Sequence, residues 1–213
     1  MSNRHEADLA SDLAYVKALA EEGRDTPLVG GIYYVIWGGL VGAAALLVYL
    51  HDVGVLSSIP TLGYSPFLIA FIAGWIGSFT IGSRADRKPG ARTLGNRTAS
   101  AVWFAVGICL TGFWLTLMVV HDNFQNAGVP PYFLFNLMFP VAFGFYGVAF
   151  YATATAGRVG WLRIIALGAL VFAALSLAFM GSVHQTLVGA MGSLCCALLP
   201  GLILMRGEPS EVV

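Results

Sequence analysis

The sequence predicts an all-α integral membrane protein of six transmembrane helices arranged as three hairpins, preceded by a short N-terminal cytoplasmic amphipathic helix. Composition is the first reason: 58% of the 213 residues are hydrophobic and 10% are charged, against roughly 25% charged in a soluble globular chain. The second is that the apolar residues come in charge-free blocks of about 20, the length that crosses roughly 30 Å of hydrocarbon. Finally, all eleven Lys and Arg fall in segments that such a threading places on one side, the pattern of a cytoplasmic face.

Residues 1–26 are polar and mixed in charge. They lack the basic n-region and directly following apolar h-region of a signal peptide. Leu9, Leu13, Val16 and Ala20 share one helical face, and Gly23 is placed to end the helix. Its polar face carries Asp8, Asp12, Glu21 and Glu22 against Lys17, the wrong sign for an anionic leaflet. The expectation is docking on a protein partner or on the chain's own basic loop, with a solvated leader as the alternative.

The membrane domain is predicted over 27–206, with spans at about 28–50, 64–82, 98–120, 132–155, 162–180 and 186–205. Span one is closed by His51-Asp52, and Pro60 marks the following turn. Arg84, Asp86, Arg87, Lys88, Arg92 and Arg97 form a polar loop after span two. Span three ends at His121-Asp122, and Pro130-Pro131 breaks the helix before span four. No Asp, Glu, Lys or Arg lies between Arg163 and Arg206, about twice the length of one crossing, so two spans share it with a break at Gly181-Ser182-Val183-His184-Gln185. Continuous rather than alternating hydrophobicity argues for helices over a membrane β-barrel. Residues 207–213 are expected as a cytoplasmic tail, which puts both termini inside.

A shift of seventy positions aligns Leu40 with Leu110, Gly42 with Gly112, His51-Asp52 with His121-Asp122, Pro60 with Pro130, and Gly74 and Gly77 with Gly144 and Gly147. This predicts a parallel internal repeat of the hairpin. The glycines are expected to let helix backbones approach closely, within the bundle or in a homo-oligomer. Trp37 and Trp103, with most Tyr residues, are expected at the membrane interfaces. Trp75 and Trp114 are expected deeper, in packing.

Among chemistry-bearing residues, His51, Asp52, His121, Asp122 and His184 are expected at one depth, at the outer ends of odd-numbered helices. Imidazole and carboxylate are ligands for a divalent transition metal, two histidines can ligate haem, and histidine also titrates near neutral pH. The competing reading is a histidine that stabilises the negative C-terminal end of its helix. Cys109, Cys195 and Cys196 lie in apolar blocks without CxxC spacing, which indicates no disulfide framework or zinc site. Span interiors contain no Asp, Glu, Lys or Arg, which disfavours ion-coupled transport. Ser193 has no identifiable base, and no catalytic motif is present. A net charge of zero points to no nucleic-acid partner.

The leader residues Asp8-Leu9-Ala10, Tyr15-Val16 and Glu21-Glu22-Gly23, followed by Gly30-Gly31 and Trp37-Gly38-Gly39, resemble a group of uncharacterised six-span bacterial inner-membrane proteins. The resemblance covers the first fifth of the chain and implies a bacterial cytoplasmic membrane, without an activity or functional residues. The role expected first is a non-catalytic accessory, scaffold or regulatory subunit that binds a protein partner, with no cofactor. The alternatives are a small transporter or channel for a neutral or lipidic solute, and a periplasm-facing metal or haem binder.

Overall fold

The computed structural model describes residues 13, 15, 26–56, 58, 62–63 and 65–209, and every regular element among them is a helix. The amphipathic leader lies outside the described residues except for Leu13 and Tyr15, both helical and exposed. The chain is a multi-span apolar helical protein of membrane character: five helices are long and apolar enough to cross a bilayer, and Leu162–Ala178 is a shorter sixth apolar helix.

Helix α1 (Gly31–Asp52) starts after Gly30, whose φ of 111° lies in the left-handed region that glycine adopts without strain. It ends where Gly54 turns the chain and the Val55 N–H returns to the Leu50 carbonyl. Helix α2 (Ser65–Thr80) leads through a 3₁₀ turn, Gly82–Arg87, into α3 (Leu94–Asn126). At 33 residues α3 is about 50 Å long, overrunning the expected span at both ends.

Pro131–Phe135 forms a short α4, and Met138–Ala156 forms α5. Pro140 stands in the first turn of α5, where no intrahelical N–H bond is forfeited. Helix α6 (Leu162–Ala178) is followed by a turn at Gly181, then α7 (His184–Ser193), a π segment at Leu194–Leu198 and α8 (Leu199–Gly207). The π segment meets Pro200, which lacks an N–H and crowds the carbonyl four residues back.

Helix α1 is central, packing against α2 on one side and against α7, the π segment and α8 on the other. α5 packs between α3 and α6, and α6 closes onto α7. The α1–α8 seam is made of small residues: a Cβ on Gly31 would lie 2.6 Å from the Gly201 carbonyl oxygen, and one on Gly38 would meet the backbone nitrogen of Leu198. Such seams bind helices in lipid through close backbone contact. The glycines aligned by the seventy-residue shift have unlike surroundings, since Gly74 faces Trp37 whereas Gly144 has nothing within 4 Å.

Away from these seams the surface is apolar. Ile69, Ile72, Ile76 and Phe79 stripe α2, and Phe104, Ile108, Leu115 and Val119 stripe α3, all exposed. Leaving such side chains in water forgoes about 1.5–3 kcal/mol each, so the stripes belong in hydrocarbon.

Antiparallel packing gathers the connections at two ends. Residues 27–31, 82–97, 156–163 and 204–208 meet at one, joined by Lys88–Glu208 and by Asn96 with Pro27. At the other, Tyr49 lies against His184 and Gln185 bonds Asn136. Every described Lys and Arg belongs to the first, basic end, and the three expected site histidines belong to the second.

Candidate functional site

Two features have the makings of a site. The first is a polar clasp at the basic end, where α1 begins. The N-terminus of a helix leaves backbone N–H groups unpaired and concentrates positive potential. Glu208, just past α8, answers both: its Oε1 accepts the N–H groups of Gly30 at 2.9 Å and Gly31 at 2.6 Å, and its Oε2 accepts Lys88 Nζ at 2.6 Å. The Glu208 side chain is 1% exposed. Beside it, buried Asn96 accepts the Val29 N–H through Oδ1 and donates through Nδ2 to the Pro27 and Gly90 carbonyls and Thr93 Oγ1. Together these tie the chain termini of the bundle to the loop between α2 and α3.

The second feature is an open cavity of about 1280 Å³ lined by α1, α2, α3, the start of α5 and the α6–α7 turn. It exists because α2 and α3, consecutive in sequence, scarcely pack on each other. Its walls are aromatic. Trp37 meets Phe71 and Trp75 edge-on at 6.0 and 5.9 Å, and Phe71 stacks on Trp114 across the gap at 5.1 Å. Deeper toward the basic end, Trp103 is wedged among Tyr34, Tyr146 and Phe150.

The indole N–H groups of Trp37 and Trp103 are consumed by Ser78 Oγ at 3.0 Å and Thr153 Oγ1 at 3.1 Å. These two walls therefore offer ring faces and few donors. Polar lining collects at the ends, with Tyr33, Ser83 and Asp86 toward the basic loop and His51, Asp52, Asn136 and Gln185 at the other mouth. The arrangement suits an elongated molecule that is apolar in the middle and polar at its tips.

Of the five expected site residues, His51 and Asp52 are adjacent in space. His51 Nδ1 lies 3.2 Å from Asp52 Oδ1, and this pair lines the cavity mouth. His121 sits within α3, more than a turn before its end, because that helix continues to Asn126. The C-terminal location expected for it is corrected accordingly. His184 opens α7 rather than ending the preceding helix, because the chain turns at Gly181 and Ser182 Oγ accepts the His184 N–H at 3.2 Å. Its ring rests against Tyr49 and Phe179. Neither His121, Asp122 nor His184 lines the cavity. Among the described residues no group of three or more His, Cys, Asp or Glu is placed to hold a metal ion.

Sequence reasoning missed the clasp, having assigned Glu208 to a tail and Asn96 to a loop. The available signal was a carboxylate directly after the last span, together with a helix start at Gly30-Gly31 that carries no acid of its own. The indoles of Trp37 and Trp103, expected at the interfaces, each donate to a hydroxyl on a neighbouring helix. Gln185, expected in a loop, is buried and donates to the carbonyls of Asn136 at 2.7 Å and Ser176 at 3.0 Å. No protein-family model matches this chain, and comparison with curated proteins and with solved structures gives no match.

Proposed function

We propose that this protein binds a neutral or lipidic amphiphile in the cavity between α2 and α3 and serves as a small carrier or transporter for it in a bacterial cytoplasmic membrane, with the basic end inside. The observation that carries this reading is the 1280 Å³ aromatic-walled cavity, whose middle lacks ionisable carboxylate, amine or imidazole groups while both ends are polar. A charged substrate would be left desolvated and unpaired in that middle; an acyl chain or apolar ring system would not. The orientation rests on the segregation of Lys and Arg at one end.

This reading is preferred to the accessory-subunit role because the cavity supplies a defined place for a ligand. Purification in native lipid particles, followed by organic extraction and mass spectrometry, tests it. A stoichiometric amphiphile, reduced when Gly107 on the cavity wall is replaced by Leu, supports ligand binding. Stoichiometric protein with no enriched amphiphile would favour the accessory role and defeat the proposal.

A further inference from the structure

A second concavity adjoins the cavity at the basic end. Asp86 lines both, and the second, of about 540 Å³, is formed by the turn between α2 and α3, which includes Arg87, Lys88, Gly90 and Arg92. This turn is the only covalent link between the two helices that leave the cavity open, so whatever lies between them emerges against it. Lys88 is already engaged by Glu208. Arg87 and Arg92 are exposed and make no hydrogen bond or ion pair among the described residues. The local carboxylate, Asp86, faces the Tyr33 hydroxyl, which donates to it at 3.4 Å.

Two guanidinium groups that have no partner among the described residues, in a concavity adjoining the polar end of an apolar slot, match one kind of ligand: a phosphate-bearing headgroup carrying hydrocarbon chains. Guanidinium binds phosphate oxygens through paired, charge-assisted hydrogen bonds, and basic pockets between membrane helices favour anionic lipid headgroups. We propose that the cavity's ligand is an anionic phospholipid, its phosphate held by Arg87 and Arg92 and its acyl chain lying between α2 and α3 against Trp75 and Trp114. This assignment rests on the amphiphile-binding reading and specifies its headgroup.

The test uses the full chain in bilayers of phosphatidylcholine doped with lipids brominated on the acyl chains, which quench tryptophan on contact. Brominated phosphatidylglycerol is expected to quench at roughly tenfold lower mole fraction than brominated phosphatidylcholine. Arg87→Gln/Arg92→Gln should reduce that preference to about twofold while leaving the melting temperature unchanged, since both side chains are exposed. Millimolar inorganic phosphate should not displace the lipid; displacement would assign the turn to a free anion and overturn the lipid assignment. Equal quenching by both lipids, unaffected by the double substitution, would overturn the headgroup site while leaving the cavity reading intact. If the Gly107→Leu protein is quenched by both lipids as the parent is, the cavity itself holds neither, and both proposals fail.

Discussion

Replacing Glu208 by Ala should loosen the whole basic end. The carboxylate has three bonded partners, the N–H groups of Gly30 and Gly31 and Lys88 Nζ, at 2.9, 2.6 and 2.6 Å, in a side chain only 1% exposed. Each N–H that loses a charged acceptor costs about 1.5–3 kcal/mol. Lys88 is 21% exposed, and its long stem lets the ammonium regain water, so its share is smaller than for a fully buried partner. The two N–H groups alone give about 3–6 kcal/mol, and the roughly 3–5 kcal/mol typical of breaking a buried pair from one side falls in that range, so a loss of about 3–6 kcal/mol is expected.

Glu208→Gln retains an acceptor for the α1 N-terminus but loses the charge, and should cost about half as much. Lys88→Met leaves a buried carboxylate with two N–H donors and should also destabilise. Combined with Glu208→Gln it should show a coupling of about 1–3 kcal/mol. Reversible unfolding in mixed micelles, followed by tryptophan fluorescence, reads all four proteins. A Glu208→Ala protein within about 0.5 kcal/mol of the parent would show that the contact contributes nothing and that α1 is held by its helix seam alone.

Gly107→Leu places a side chain in the cavity, because its Cβ would have Trp75 at 3.9 Å as its nearest neighbour; ligand occupancy should fall while stability rises by about 0.5–1 kcal/mol from the lost glycine, and unchanged occupancy counts against the cavity. Gly38→Ala should cost about 1–3 kcal/mol by forcing α1 off the π segment, whereas Gly144→Ala, with nothing within 4 Å, should be neutral or stabilising; equal effects would refute the assignment of the seam. Asn96→Ala, which orphans the Val29 N–H and the Pro27 carbonyl, should lower stability by about 2–3 kcal/mol, measured in the same micelles. In a protein freed of its native cysteines, Arg92→Cys should react with an impermeant maleimide only from inside and Val55→Cys only from outside; labelling of both from one compartment would overturn the orientation.

The α2–α3 pair, which falls in two different expected hairpins, shows what hydropathy leaves open. The two helices follow one another in sequence yet scarcely touch, and the Phe71–Trp114 stack spans the gap between them. Hydropathy averages over a segment and carries no information about which face meets which neighbour. The same blindness moved His184 from one helix to the next: the Gly181 to Gln185 stretch was rightly read as a break, but its register depended on a left-handed turn at Gly181 and a hydroxyl acceptor at Ser182.

The membrane character, the helical class, the positions of most long helices and the segregation of basic residues were all legible in one dimension, because crossing hydrocarbon demands a continuous run of apolar side chains wherever the chain later packs. The cavity, the clasp and the helix positions of His121 and His184 were decided in three dimensions. Glu208 and Gly30 are separated by almost the whole chain, as are Gly31 and Gly201, and only the antiparallel return of the last helix onto the first brings them together. A buried carboxylate and a bare glycine look ordinary in a sequence, since the free energy each contributes belongs to its distant partner.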